Sequence, residues 1–247
     1  MHQVILEGCD GSGKSTLAAR LVKLINERVP TWVARAVTGP CDSIKGLRRL
    51  ALHGVSQTLD GSTRGKPVAA ASAALIIADM AQTAFAVQHW SGVVTAQGQT
   101  PIIIRDRTIL TTLIYQGFLG GGPAQVQSIW TAYRNLVDEQ FDRVVVLTGQ
   151  HKRVTKPDYI TDTGQCRHVR DLYTSIEHLL GPRTTYTPRR DPGLEREMAR
   201  ALTSMDRASF AARFPMWSYI DTDAYDEEGT AEHVFALLSN YYKWTKP

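Results

Sequence analysis

Cysteine is scarce in this sequence. Cys9, Cys41 and Cys166 are odd in number, far apart and without a C-x-x-C spacing. That argues against a disulfide framework and a structural metal, and suits a reducing compartment such as the cytoplasm. Long apolar runs are missing too. None reaches the ~18 residues that a membrane span needs, and the alanine-rich stretch 68–78 comes closest. No basic segment followed by an apolar one opens the chain, so no secretory leader is expected. Internal repeats and low-complexity tracts are absent. Acids are in slight deficit, with 24 Asp and Glu against 28 Lys and Arg, a net charge of +4. This leans toward polyanionic partners, either nucleotide or nucleic acid. At 247 residues, 43% hydrophobic and 21% charged, the composition is that of an ordinary globule. A disordered tail, a collagen-like chain and a disulfide miniprotein are excluded.

Short apolar runs alternate with longer amphipathic ones. Strands are expected at 4–7, 31–37, 101–106, 143–147 and 217–221. Between 124 and 139, Val126, Ile129, Trp130, Tyr133, Leu136 and Val137 recur at helical spacing, as do Val234, Phe235, Leu237, Leu238, Tyr241 and Tyr242 near the end. Both stripes read as core. Strand–helix alternation predicts one α/β domain over 1–247, a parallel sheet covered on both faces with ligands at the carboxyl ends of its strands. Three stretches read as loops: 54–66, the break at 120–123, and a basic, proline-bearing segment that opens an insertion at about 181–213.

The strongest local signal is Gly8-Cys9-Asp10-Gly11-Ser12-Gly13-Lys14-Ser15, which fits G-x-x-x-x-G-K-[ST] in full. A strand precedes it, and a helix with Leu17, Leu21, Leu24 and Ile25 inward follows. Glycines let successive backbone N–H groups converge on one phosphate, and the helix N-terminus adds partial positive charge. In such a loop the lysine, here Lys14, spans the β- and γ-phosphates, and the Ser15 hydroxyl ligates Mg²⁺. ATP or GTP binding follows. The acceptor of the phosphate does not.

The run Glu7-Gly8-Cys9-Asp10-Gly11-Ser12-Gly13-Lys14-Ser15-Thr16 resembles the opening of the thymidylate kinase family. Asp106-Arg107-Thr108 with Tyr115-Gln116-Gly117 resembles that family's D-R-[YFH] and A-Y-Q-G segments, and Leu47-Arg48-Arg49-Leu50 more weakly its I-R-x-L helix. The resemblance implies a P-loop kinase with a five-stranded parallel sheet and a lid, here about 149–165, using ATP and Mg²⁺. It implies that Gly8 through Thr16 hold the nucleotide, with Asp10 near the acceptor sugar or the metal shell. Asp106 would hold Mg²⁺ through water, Arg48 and Arg107 would face the acceptor, and Tyr115 and Gln116 would lie near the sugar. An acid and an arginine ending a buried strand point into the ligand crevice on general grounds as well. The variable positions of the phosphate loop hold no arginine, so a lid cation must meet the developing charge. Among His151, Lys152, Arg153 and Lys156, Arg153 is the first choice.

Two departures bear on the acceptor. Where the family reads thymine with F-x-x-D-R, this chain has Ile76-Ile77-Ala78-Asp79-Met80, so Met80 stands where an arginine would contact the base. The family's R-E-P-G after the second strand is replaced by Ala36-Val37-Thr38-Gly39, without its glutamate. The leading expectation is a kinase for a thymidylate-like deoxynucleotide. The rival is a phage-type kinase phosphorylating 5-hydroxymethyluracil within DNA, with Asp10 or Asp106 as base. A non-catalytic, nucleotide-switched binding protein stands third. A second copy of the chain is a candidate partner, and no membrane is expected.

Overall fold

The structure is a computed structural model. It describes residues 1–9, 11–38, 66–119, 123–137, 139–149, 163–181, 192–203 and 205–244. Three strands are continuous apolar runs, as strands buried on both faces must be: β1 (His2–Gly8), β3 (Thr100–Asp106) and β4 (Arg143–Leu147). With β2 (Trp32–Thr38) and β5 (Trp217–Ile220) they form one all-parallel sheet in the order β2–β3–β1–β4–β5. The expected strands are therefore observed to within a residue or two.

Alternation along the strands sorts the core into two layers. Val4, Leu6, Ile102, Ile104, Val145 and Leu147 pack on α1 (Lys14–Arg28) and α8 (Glu227–Tyr242). Ile5, Val144 and Val146 face the other way, onto α4 (Pro123–Leu136) and α5 (Thr163–Leu180). The chain leaves β1 toward β2 on one side, then crosses from β3 past β1 to β4 on the other. The crevice opens where those directions part, at the carboxyl ends of β1, β3 and β4.

Three local expectations change. Helix α4 ends at Leu136, which is 62% exposed rather than inward. The segment expected as a loop over about 181–213 carries α6 (Pro192–Leu202) and α7 (Arg207–Arg213). Helix α2 (Lys66–Ala96) contains a 27-residue stretch, Ala70–Ala96, apolar and long enough by composition to cross a membrane. Its Ala73, Ile77, Ala84, Val87 and Val94 are buried, and the helix lies against β3 and α4. Ser72, Asp79, Gln82, Gln88 and His89 break every apolar run short, which is why the sequence shows no uninterrupted segment of that length.

Candidate active site

The turn between β1 and α1 is shaped by three glycines at positive φ: Gly8 (138°), Gly11 (79°) and Gly13 (81°). At Gly8 a Cβ would sit 2.6 Å from the Leu147 carbonyl oxygen and 3.0 Å from Ser12 Oγ, so no other residue fits there. Gly13 caps α1 without a side-chain bond, leaving the first-turn amides of Lys14, Ser15 and Thr16 directed along the helix axis into the turn. Lys14 is buried. Its Nζ donates to Cys9 O at 2.6 Å, Gly8 O at 3.2 Å and Ser12 Oγ at 3.1 Å. Amides and an ammonium thus converge on one small volume, which is what an oxyanion requires.

Directly beside it, Ser15 Oγ donates to Asp106 Oδ2. Asp106 is buried at the end of β3, and its Oδ1 has no hydrogen-bond partner. A buried carboxylate oxygen with unused acceptor capacity, next to a hydroxyl, fits a hard divalent cation. No cluster of three or more His, Cys, Asp or Glu forms among the described residues. A cation held here would complete its shell with phosphate and water, as Mg²⁺ does.

After Asp106 the backbone turns sharply. Arg107, exposed, has φ 74°, a left-handed conformation that a non-glycine residue holds only when its surroundings impose it. Its N–H donates to Leu6 O at 3.1 Å, and Thr108 caps the short α3 (Ile109–Thr112) by accepting from Leu110 N. A π-helical segment, Leu113–Leu119, follows and carries Tyr115 and Gln116. Gly117 lets α4 approach: a Cβ there would lie 2.9 Å from Val126 Cγ2. Tyr115 and Met80 border the same core cluster, from the π-helical segment and α2, which pack together. Gln116 Oε1 is buried without a partner. Asp10, Arg48 and Arg153 lie outside the described residues.

One acid was read only as a letter of the motif. Glu7 is fully buried, and its carboxylate accepts four bonds: Thr108 N (2.9 Å) and Oγ1 (2.7 Å) on Oε1, Thr111 Oγ1 (2.5 Å) and Tyr173 OH (2.7 Å) on Oε2. Burial pushes its carboxyl above the ordinary value, and the hydroxyls of Thr111, Thr108 and Tyr173 with the nearby Lys14 charge pull it only part of the way back. Burial and the Glu7 charge together hold the Tyr173 phenol well above its ordinary value. The available signal is an acid directly after the apolar run of Val4, Ile5 and Leu6.

The fold is that of a P-loop kinase, with the phosphate turn at the central strand of a five-stranded parallel sheet. Among solved structures the chain is similar to thymidylate kinase from Ehrlichia chaffeensis, at 17% sequence identity and a TM-score of 0.54, over 96% of this chain and 98% of that one. No family model matches the sequence, and no curated protein does.

Proposed function

We propose that this protein is an ATP- and Mg²⁺-dependent phosphotransferase that moves the γ-phosphate to a thymidylate-like deoxynucleotide. The observation that carries the reading is the Ser15–Asp106 pair, with its spare carboxylate oxygen, beside the Lys14 turn. The amides of the turn and Lys14 grip the β- and γ-phosphates. Ser15 and Asp106 would hold Mg²⁺, which neutralises charge on the transferring group. Arg107, at the crevice edge, faces the acceptor. An acceptor that is already a phosphate needs no base: its oxygen bonds to the γ-phosphorus as the bond to the β-phosphate oxygen breaks and ADP leaves. Likeness to a thymidylate kinase supports the same chemistry.

Met80 favours a second reading. It packs against the core and brings a thioether, not a donor, where the family's arginine would contact the base, so a free thymine would lack the hydrogen bond that usually selects it. A base displayed on a DNA strand, 5-hydroxymethyluracil, would draw its affinity from the phosphate backbone instead. The deciding experiment supplies γ-labelled ATP with a panel of mononucleotides, plain DNA and hydroxymethylated DNA, then locates the label. Label on dTMP supports the first reading. Label on hydroxymethylated DNA, with steep loss of activity as salt rises, supports the second. Label appearing only as free phosphate overturns both in favour of a nucleotide switch.

A further inference from the structure

We propose that Glu7 is a positioning residue, whose buried carboxylate holds the left-handed turn at Arg107 and ties it to α5. The inference rests on the phosphotransferase reading for its kinetic consequence but not for its mechanical one.

An ionised carboxylate offers about four acceptor sites. In Glu7 all four are engaged by Thr108 N, Thr108 Oγ1, Thr111 Oγ1 and Tyr173 OH. No capacity is left for a substrate proton or a metal ion, so neither general base nor ligand is open to it, although it adjoins the phosphate turn. What it does hold is specific. Arg107 is anchored on both flanks: its own N–H bonds Leu6 O, and the next N–H, that of Thr108, bonds Glu7 Oε1. These two bonds come from consecutive residues of β1, and they bracket the exposed residue held at positive φ where β3 ends at the crevice. The other carboxylate oxygen reaches α5 through Tyr173, itself fully buried. Helix α5 begins at Thr163, within the last residues of the segment expected as the lid, about 149–165. A displacement of α5 is therefore transmitted through one phenol and one carboxylate to the residue that faces the acceptor. Thr111 Oγ1 also lies 3.3 Å from Tyr173 OH, so the hydroxyls form a closed set around the acid.

The test has a kinetic arm and a mechanical arm, both on the full chain. In the first, kcat, the KM for dTMP or for whichever acceptor of the panel takes label, and the Kd for ATP are measured for Glu7→Gln, Thr108→Val and Thr108→Ser. Glu7→Gln keeps the volume and the oxygen that accepts from Thr108, but its NH₂ cannot accept from Thr111 Oγ1 and Tyr173 OH, so the tie to α5 is broken or reversed. The expected result is a kcat lower by about 10²-fold, as for other small misplacements of a reacting group, with ATP affinity unchanged. Thr108→Ser, which keeps both bonds, restores what Thr108→Val loses. Wild-type kcat in Glu7→Gln overturns the proposal. So does a fall in ATP affinity that tracks the melting temperature, because that marks a general structural role.

In the second arm, amide exchange is followed in Tyr173→Phe, which removes the phenol bond to Glu7 and the contact of the same hydroxyl with Thr111. Exchange over 107–112 is expected to rise about fivefold or more, as for the loss of one buried hydrogen bond, while 143–147 is unchanged. Unchanged exchange over 107–112 overturns the coupling. If the wild-type protein labels no acceptor, the phosphotransferase reading fails and this second arm alone decides the role of Glu7. If Glu7→Gln does not fold, Thr108→Val and Tyr173→Phe carry the test.

Discussion

The two ends of the sheet treat their carboxylates differently. At the amino edge, Asp142 accepts from Gln3 N (2.9 Å) and Tyr242 OH (3.0 Å) and pairs with His2 Nδ1 (3.1 Å). Burial raises its pKa, but these donors outweigh burial and bring it below the ordinary value. Glu139 is buried against Arg105, in an ion pair that Gln3 completes. Around them His2, Trp32, Tyr242 and Trp244 stack ring to ring. At the carboxyl edge, Asp106 keeps an acceptor idle, a non-glycine residue is held left-handed, and a glycine sits where a methyl group would strike a carbonyl. One edge satisfies its carboxylates from within the fold and so stabilises. The other retains unused valence and strain, the mark of a place that serves something beyond folding.

Substitutions at the two edges test that contrast. Lys14→Ala should reduce phosphate transfer by at least about 10²–10³-fold, as for loss of one preorganised charge-stabilising donor, with the thermal midpoint unmoved. Labelled transfer alongside a melt checks it, and a midpoint that falls in step would mark Lys14 as structural. Asp106→Asn should raise the Mg²⁺ needed for half-maximal activity by about 10–100-fold, read by titration with the metal. Gly8→Ala should cost about 1–3 kcal/mol through backbone strain alone, more once the Leu147 contact is added, seen in urea unfolding.

At the amino edge the expectation reverses. Asp142→Ala should lose about 1–3 kcal/mol of stability while leaving the kcat of the folded protein alone. Because the folded pKa of Asp142 lies below its unfolded value, its stabilisation is complete above the ordinary carboxylate range. It is lost as the pH falls through the folded pKa. The difference between wild type and Asp142→Ala should therefore shrink in acid. Least of all, Leu136→Gln should change stability by no more than about 0.5 kcal/mol, since its side chain stands in solvent.

Leu136 also shows how far the sequence could be read. The strands were legible because each is an apolar run, and the phosphate turn because its glycines fall at fixed spacing. Leu136 continues the helical stripe of α4 by count, but the helix stops there and the chain turns away. The 192–213 region reads as loop because Pro192 looks like a breaker, whereas proline is well suited to the first turn of a helix. There α6 begins, and Asp206 then caps α7 through Ala208 N. At the site, Lys14, Ser15 and Asp106 converge as their positions implied. Glu7 could be seen but not understood, for its partners stand 101, 104 and 166 residues away, and no local pattern names them.

Lys14 has one last consequence. Its ammonium is already shared among three oxygens of its own turn. An arriving triphosphate does not meet a bare cation; it must outbid neighbours already in place. The net gain is then the difference between two sets of contacts, which favours a guest dense in negative charge and turns away weaker anions without any steric gate.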